Sequence, residues 1–376
     1  MTQLPDLTIG IEEEYLLVDR DSRDLATSPP DAFMRECEKQ LPGRVANELM
    51  QCQVEVETSP CRTVGEARQE LQFLRGTIAA IAGQFGLAPI AASTHPKADW
   101  ADQEVTHKAR YEGLASDLGV VAGRMLICGM HVHAGIKEPD LRIDLMNQMT
   151  YFLPHLLALS TSSPFWQGRD TGLMSYRLSV FDSLPRSGLP DRFDSYVDYR
   201  NCVDHLVKAG VIENGTKIWW DIRPSENFPT LESRVTDICT RLEDCLTIAA
   251  LYQCLLHMLM RLKSRNQHWR IYPRTLVAEN RWRAQRYGIT DGLIDFGRGE
   301  LVPASLLVDE LIDLLAEDAE ALHCTDEIAR ARDIVRLGTS AQMQRKIYQQ
   351  SVEQAGEDQA LRNVVDWLIA ETVAGL

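Results

Sequence analysis

The segment TIGIEEEYLLVD, residues 8–19, constrains the fold more than any other part of the chain. Apolar and β-branched residues flank three consecutive glutamates, and turn residues follow, so the segment is predicted to be an early β-strand. Because side chains alternate along a strand, Glu12 and Glu14 share one face and Glu13 lies on the other. Two carboxylates about 6.5 Å apart repel each other unless a cation lies between them. On this segment alone, a metal site and a solvated strand face are both open.

Two later segments repeat this pattern of ligand-type side chains at every second position, and a third pairs a glutamate with an arginine at the same spacing. They are residues 48–60, 125–136 and the second half of 216–237. The side chains that share a face are Glu55 with Glu57, His131 with His133, and Glu232 with Arg234. Four such strands in one chain predict a shared cavity lined by a sheet. An oxygen-rich set with one or two imidazoles favours Mg²⁺ or Mn²⁺ over a structural zinc site. The alternative for the histidine pair is two hydrogen-bonded side chains in a core strand.

The remaining segments predict helices between and after these strands. The predicted helices cover 30–41, 64–84, 141–160, 192–209, 237–263 and the chain beyond Pro303, with breaks at Gly338 and Gly356. Residues 163–181 are predicted to be a loop that runs into a strand. The strands do not recur at a regular βαβ spacing, so we expect an α+β fold with a curved, mostly antiparallel sheet. We expect one domain over residues 1–376, with a helical C-terminal part from about residue 303.

Charge and composition exclude several classes of protein. The 39 basic and 54 acidic residues give a net charge of −15, which argues against a non-specific nucleic-acid binder. The longest apolar run, 245–262, is interrupted by Gln253, His257 and Arg261, so it predicts a buried helix and not a membrane span. Residues 1–8 lack the features of a signal peptide. The nine cysteines form no C-x-x-C pair, which favours reduced thiols in the cytoplasm.

A basic segment at 261–286 stands out in this acidic chain. It holds eight Lys and Arg residues and one acid, Glu279. A solvated helix face is one interpretation. The other is that Arg283 and Arg286, one helical turn apart, bind phosphate through their planar forks. The sequence has neither a Walker-type nor a Rossmann-type glycine loop, so a bound nucleotide would be held by metals and arginines.

Seven motifs in order resemble one family. They are the G-x-E-x-E strand at 10–14, QVEVETSP, GMHVHAGI, SPFWQGRDTG, WWDIRP, TLESRVTD and ENRWRAQRYG. Together they are similar to the YbdK-like carboxylate–amine ligase branch of the glutamate–cysteine ligase type 2 family. The similarity runs from near the N-terminus to about residue 297.

The resemblance implies a glutamine-synthetase-like catalytic fold that uses ATP and Mg²⁺ or Mn²⁺. It implies amide formation through an acyl phosphate, with weak glutamate–cysteine ligase activity. Glutamate is then the expected carboxylate substrate and cysteine the expected amine. We expect a homodimer that binds neither nucleic acid nor a membrane. The metal ligands implied are Glu12, Glu14, Glu55, His131 with His133 beside it, and Glu232, and the implied phosphate-binding arginine is Arg234. Arg177, or else Arg169, is expected to orient the acid substrate.

Two alternatives remain open at this point. In one, the histidine strand binds Zn²⁺ that activates water, and the protein is a metal-dependent amide hydrolase. In the other, the protein is a non-catalytic regulator that binds ATP and metal without turnover.

Overall fold

A computed structural model describes residues 7–376, with the side chain of Arg110 excepted. Most of the segment considered for a signal peptide therefore lies outside the described residues. The strands are β1 (Ile9–Asp19), β2 (Val45–Asn47), β3 (Gln53–Glu57), β4 (Leu87–Ile90), β5 (Met130–Gly135), β6 (Phe165–Trp166), β7 (Arg169–Asp170), β8 (Ser187–Gly188), β9 (Trp219–Trp220), β10 (Ile222–Pro224), β11 (Thr230–Ser233), β12 (Leu293–Asp295) and β13 (Glu300–Val302). The helices are α1 (Asp31–Gln40), α2 (Val64–Gln84), α3 (Ala109–Leu118), α4 (Val120–Gly123), α5 (Pro139–Met149), α6 (Leu153–Ser160), α7 (Tyr176–Phe181), α8 (Tyr196–Lys208), α9 (Leu242–Ser264), α10 (Arg274–Tyr287), α11 (Ala304–Ala321), α12 (Thr325–Ala329), α13 (Ala331–Leu337), α14 (Ser340–Ala355) and α15 (Glu357–Thr372).

The main sheet is built around β1. Its strands lie in the order β10-β11-β5-β1-β3-β2, and β4 pairs with the second half of β1. Every pair in this sheet is antiparallel. The expected α+β architecture with an antiparallel sheet is therefore confirmed.

The two faces of β1 have different environments. Ile9, Ile11 and Tyr15 are buried on the face that packs toward α2 and α9. Glu12 and Glu14 lie on the opposite face and line a cleft. The two sets of side chains predicted from the sequence to face opposite ways thus do so in the structure. One face of β1 is covered by helices and the other lines the cleft.

Helix α2 has the predicted boundaries. The Thr63 side chain accepts a hydrogen bond from the backbone of Glu66, and Gly86 follows the helix with φ +72°. In the C-terminal part, Gly338 (φ +94°) and Gly356 (φ +79°) separate the helices as predicted, because glycine adopts positive φ without a steric penalty.

Helix α9 is long and apolar enough to cross a membrane by length and composition alone. However, 83% of its most apolar window is buried inside the protein. It contacts α2, α5, α6 and α11, as well as β1 and β5. It is the central core helix, as the interrupted apolar run predicted.

Two predicted elements were wrong. The single helix expected over 141–160 is two helices, because Pro154 at the start of α6 cannot donate the hydrogen bond that would continue α5. The strand expected near residue 177 is the helix α7. A six-residue segment is too short for alternation to distinguish a strand from a helix, and Leu178 and Phe181 are buried at helical spacing.

One hydrophobic cluster extends from Leu7 to Leu368. Hydrogen bonds also join the C-terminal helices to the rest, as where the backbone of Ala91 donates to Thr372 Oγ1 at 2.9 Å. This continuity agrees with the single-domain interpretation, which stays a prediction. Eight of the nine cysteines are buried, and Cys202 is exposed.

Candidate active site

Strand register brings the predicted ligand-type side chains together. Glu14 lies opposite Glu55 across the β1–β3 pair, and Glu12 lies opposite His131 across β1–β5. His133 lies opposite Glu232 across β5–β11. All six predicted metal ligands line one cleft of about 450 Å³, together with Arg177 and Arg234. The side chains that share a face on each of four strands therefore form one site.

Glu12 is held between the two histidines. Its Oε2 lies 2.8 Å from His131 Nδ1 and its Oε1 lies 3.0 Å from His133 Nε2. Burial alone would raise the pKa of Glu12, but its hydrogen bonds and attraction to both histidines outweigh burial and hold the pKa well below its usual range. Burial and the charge of Arg234 lower the pKa of His131 to about 4, so this imidazole is neutral at pH 7.

Two arginines hold Glu232 in its ionised form. Arg223 donates from Nε to Oε2 at 3.0 Å and from Nη2 to Oε1 at 3.2 Å. Arg234 donates from Nη1 to Oε1. Burial would raise the pKa of Glu232, but the charges of Arg223 and Arg234 reverse this effect and lower the pKa. Sequence reasoning missed Arg223, because its role depends on the β10–β11 register.

These residues fit a divalent cation. One ligand atom each from Glu12, His131 and Glu232 lies within 4.8 Å of the others. With the His131 proton on Nδ1, which the nearby Glu12 oxygen favours, Nε2 keeps a lone pair for a metal. That Nε2 is buried and has no hydrogen-bond partner in the part of the chain that the structure describes. Carboxylate oxygens with one imidazole suit Mg²⁺ or Mn²⁺.

A second acidic cluster lies beside the first and comprises Glu14, Glu48 and Glu55. The backbone N–H of Gly129 donates to Glu14 Oε2 at 2.6 Å. Burial, with repulsion from Glu48, raises the pKa of Glu14 to about 8. Burial and repulsion from Glu48, Glu12 and Glu14 raise the pKa of Glu55 well above its usual range. Carboxylates in such a cluster repel one another until a cation binds between them. Sequence reasoning missed Glu48, because it precedes β3 and reaches the cleft only through a turn.

Glu55→Gln is expected to stabilise the metal-free protein at pH 8, because it removes one of several buried carboxylates that repel one another. The folded-state pKa of Glu55 is raised, so its ionised form destabilises the fold as pH rises through that pKa. The gain from Glu55→Gln should therefore disappear near pH 4. Thermal unfolding of chelator-treated protein at both pH values measures this difference, and added Mg²⁺ should stabilise the variant less than the wild type.

Glu12→Gln is the matched comparison for that prediction. The pKa of Glu12 is lowered in the folded state, so its ionised form stabilises the fold above pH 4.5 and this contribution is lost as pH falls through the lowered pKa. Glu12→Gln should therefore either leave the stability of the metal-free protein at pH 8 unchanged or decrease it. Equal increases in stability from Glu12→Gln and Glu55→Gln would contradict the opposite pKa directions assigned to the two carboxyl groups.

Arg177 lies on α7, and its side chain is 2% exposed. It donates from Nη2 to the backbone oxygen of Arg234 at 3.2 Å, and a Cβ at Gly129 would lie 2.5 Å from that Nη2. A side chain at Gly129 would therefore displace the Arg177 guanidinium. Within the described residues, Arg177 Nη1 has no hydrogen-bond partner. It is a cation available to an anionic ligand in the cleft.

Asp237 fixes the start of α7 and therefore the position of Arg177. Its Oδ2 accepts from Ser163 Oγ at 2.7 Å and its Oδ1 accepts from Ser175 Oγ at 2.8 Å. The backbone N–H of Arg177 in turn donates to Ser163 Oγ at 3.1 Å. Sequence reasoning missed this network because its members are up to 74 positions apart.

Three other predicted arginines do not line the cleft. Arg283 donates to Asp291 Oδ2 at 2.9 Å, and Arg286 donates to the backbone oxygen of Gly172. Arg169 is exposed on the short β6–β7 hairpin. The basic segment is instead largely used in ion pairs such as Arg281 with Asp221. A phosphate-binding role for Arg283 and Arg286, and a substrate role for Arg169, stay predictions.

The cleft therefore combines carboxylates for hard cations with arginines for anionic oxygens. Arg177 and Arg234 approach it from the side of α7 and β11, whereas Glu14 and Glu55 lie on β1 and β3. Such an arrangement can bind a polyphosphate with divalent cations and neutralise negative charge that moves between oxygens.

Comparison with known sequences identifies relatives along the whole chain. The family described as glutamate-cysteine ligase family 2 matches residues 8–365. A protein of Jannaschia sp. (strain CCS1), named "Putative glutamate--cysteine ligase 2", is 58% identical over 97% of this chain and 96% of its own length. A protein of the same name from Rhodospirillum rubrum is 56% identical over 99% of this chain and 97% of its own length.

Solved structures show the same fold at low sequence identity. A glutamate–cysteine ligase of Francisella tularensis, in complex with AMP, has a TM-score of 0.71 and 14% identity, covering 99% of this chain and 90% of that chain. A bifunctional glutathione synthetase of Pasteurella multocida has a TM-score of 0.69 and 15% identity, covering 97% of this chain and 52% of that chain. The expected glutamine-synthetase-like fold is thereby confirmed.

Proposed function

The chain belongs to glutamate–cysteine ligase family 2, and on this basis we propose that it is an ATP-dependent carboxylate–amine ligase that works through an acyl phosphate. The observation that carries the proposal is the contact between two kinds of group in one cleft. The three side chains that could bind a cation are Glu12, His131 and Glu232. They lie beside the guanidinium of Arg234, which donates to Glu232. Phosphoryl transfer between oxygens needs both a cation site and a guanidinium, because its catalysis rests mainly on positioning and charge neutralisation.

The proposed reaction has two steps. A carboxylate oxygen of the acid substrate attacks the γ-phosphorus of ATP, the bond to the β-phosphate oxygen breaks, and ADP leaves. The amine nitrogen then attacks the acyl carbon, loses a proton, and displaces inorganic phosphate to leave an amide. Neither step needs a covalent nucleophile from the protein.

Each cleft residue has a proposed part in these steps. Divalent cations, held by Glu12, Glu14, Glu55, His131, His133 and Glu232, would offset the charge of the ATP phosphates. Arg234 faces the transferring phosphoryl group, and its buried Nε has no hydrogen-bond partner among the described residues. Arg177 orients the acid substrate through its free Nη1. Arg223 keeps Glu232 ionised and in place.

Glutamate is the proposed acid and cysteine one candidate amine, in keeping with the names of the relatives. AMP in the Francisella tularensis enzyme supports a nucleotide as the phosphoryl donor. A homodimeric assembly stays a prediction.

Hydroxylamine tests the proposal, because this small nucleophile intercepts an acyl phosphate in place of the amine. With ATP, Mg²⁺ and glutamate, the protein is expected to form γ-glutamyl hydroxamate, with one ADP and one phosphate for each product. The assay should be repeated with other amino acids and dicarboxylic acids. Protein treated with chelator is the control, and it should form no product.

Two outcomes would favour the alternatives. Release of an amine from amide substrates without ATP would indicate the metal-dependent hydrolase. Binding of ATP with Mg²⁺, without hydroxamate or ADP from any acid, would indicate the regulator. Either outcome contradicts the ligase proposal and leaves the fold assignment unaffected.

A further inference from the structure

Two kinds of apolar side chain line the cleft besides its carboxylates and arginines. The exposed ring of Phe228 lies edge-on to His133, with ring centroids 6.4 Å apart, and Trp219 also lines the cleft. Aromatic faces beside arginines suit a nucleobase and its phosphates. These aromatic side chains are thus available to the adenine of a bound nucleotide.

Carbon side chains form another part of the cleft lining. We call them the apolar wall, which comprises Leu114, Leu118, Met125, Ile127, Phe181 and Leu184. Leu114 and Leu118 are one turn apart on α3 and so share a face. Phe181 lies under Arg177, with Cζ 5.2 Å from the ring centroid. Contiguous apolar side chains that line a reaction cleft define a subsite for an apolar group.

The apolar wall borders the second acidic cluster. Gln53 Nε2 donates to the backbone oxygen of Ile127 at 2.7 Å, and Gln53 is two residues from Glu55 on the same strand face. Gly129, two residues after Ile127, donates to Glu14. A ligand packed on the apolar wall therefore lies close to these carboxylates.

We propose that the amine substrate carries an apolar substituent, which packs on the apolar wall while its ammonium group is attracted to Glu48, the one carboxylate of the second acidic cluster that is not a proposed metal ligand. This inference rests on the proposed ligase function. A positive head and an apolar tail match the carboxylate of Glu48 and the carbon side chains of the apolar wall. The acid substrate, in contrast, must place its reacting oxygen beside Arg234. The preferred amine is thus an amino acid or amine of about the size of leucine, and cysteine is a weaker acceptor.

Initial rates of ADP release test this inference, with the full-length protein, ATP, Mg²⁺ and the acid that gives most hydroxamate. Glycine, cysteine and leucine form one series of acceptors, and ethylamine and isoamylamine form a second series without a carboxylate. We expect kcat/KM for leucine or isoamylamine to exceed that for glycine or ethylamine by about tenfold or more, since each methylene in an apolar pocket gives about 10- to 200-fold discrimination. A preference for the larger acceptor in only the amino-acid series would also support the inference. It would indicate that the subsite binds the α-carboxylate of the acceptor as well.

Leu118→Asn should lower kcat/KM for the apolar acceptor about tenfold more than kcat/KM for hydroxylamine, which has no side chain to pack. Leu118→Ala is the second variant, should the polar change prevent folding. Leu306→Asn is the matched control, because Leu306 is a half-exposed leucine on α11 outside the cleft lining.

Two results would overturn the inference. One is that the wild type forms hydroxamate but has the same kcat/KM for glycine or ethylamine as for the larger acceptors. The other is an equal loss for hydroxylamine and the apolar acceptor in both Leu118 variants. Absence of hydroxamate with every acid would instead overturn the proposed ligase function itself, so the two failures are distinguishable.

Discussion

Arg234→Lys is expected to lower the rate of ADP formation by about a hundredfold or more, while ATP binding weakens by about tenfold at most. Lysine keeps the charge but loses the planar fork, which contacts Glu232 and is proposed to bind the phosphoryl oxygens at the same time. A group that acts mainly on charge developing during transfer affects turnover more than ground-state binding. Single-turnover ADP formation and equilibrium ATP binding, measured on the same protein, separate the two effects.

Arg265→Lys is a suitable control for this substitution. Arg265 follows the end of α9, is about half exposed, and pairs with Glu317 at 2.7 Å. It should change neither quantity. If Arg234→Lys weakened ATP binding as much as it slowed turnover, Arg234 would be a binding residue only, and its proposed catalytic part would be wrong.

Arg75→Met is expected to destabilise the fold by about 3–5 kcal/mol, because it leaves the Glu13 carboxylate buried without its partner. Glu13 and Arg75 are 0% and 1% exposed. Arg75 donates from Nε to Glu13 Oε2 at 2.8 Å and from Nη1 to the backbone oxygen of Thr240 at 2.8 Å. Denaturant unfolding measures the loss of free energy.

The effect of pH provides an independent check of the same pair. Burial would raise the pKa of Glu13, but the charge and hydrogen bonds of Arg75 lower it. The pair therefore stabilises the wild type above pH 4.5, and this stability is lost as pH falls through the lowered pKa. In Arg75→Met the unpaired carboxylate can be protonated, so the difference from the wild type should shrink in acid.

The double substitution Glu13→Leu with Arg75→Met should recover much of the lost stability, since a buried pair can be replaced by apolar side chains at little cost. Additive losses in the double variant would mean that the two residues do not act as a pair. The backbone contacts of Arg75 set the limit of recovery, because Thr240 and Cys239 lose a donor in either variant.

The sequence alone determined which side chains share a face. Alternation along a strand is a local property of the backbone, so Glu12 with Glu14 and His131 with His133 could be paired without knowledge of the fold. The boundaries of α2 were equally local, since capping and glycine signals act within one turn. Motif order along the chain carried the family resemblance.

Only the tertiary structure decided which other groups complete the site. Alternation placed Glu13 on the face opposite Glu12 and Glu14, but only the packing of α2 on β1 shows that it is buried against Arg75. Arg177 was expected on a strand, and the distant Asp237 instead fixes it at the start of a helix. Glu48 and Arg223 join the cleft through a turn and a strand register. The physical reason is the same in each case: periodicity assigns a side chain to a face, whereas its partner depends on which segments, far apart in sequence, pack together.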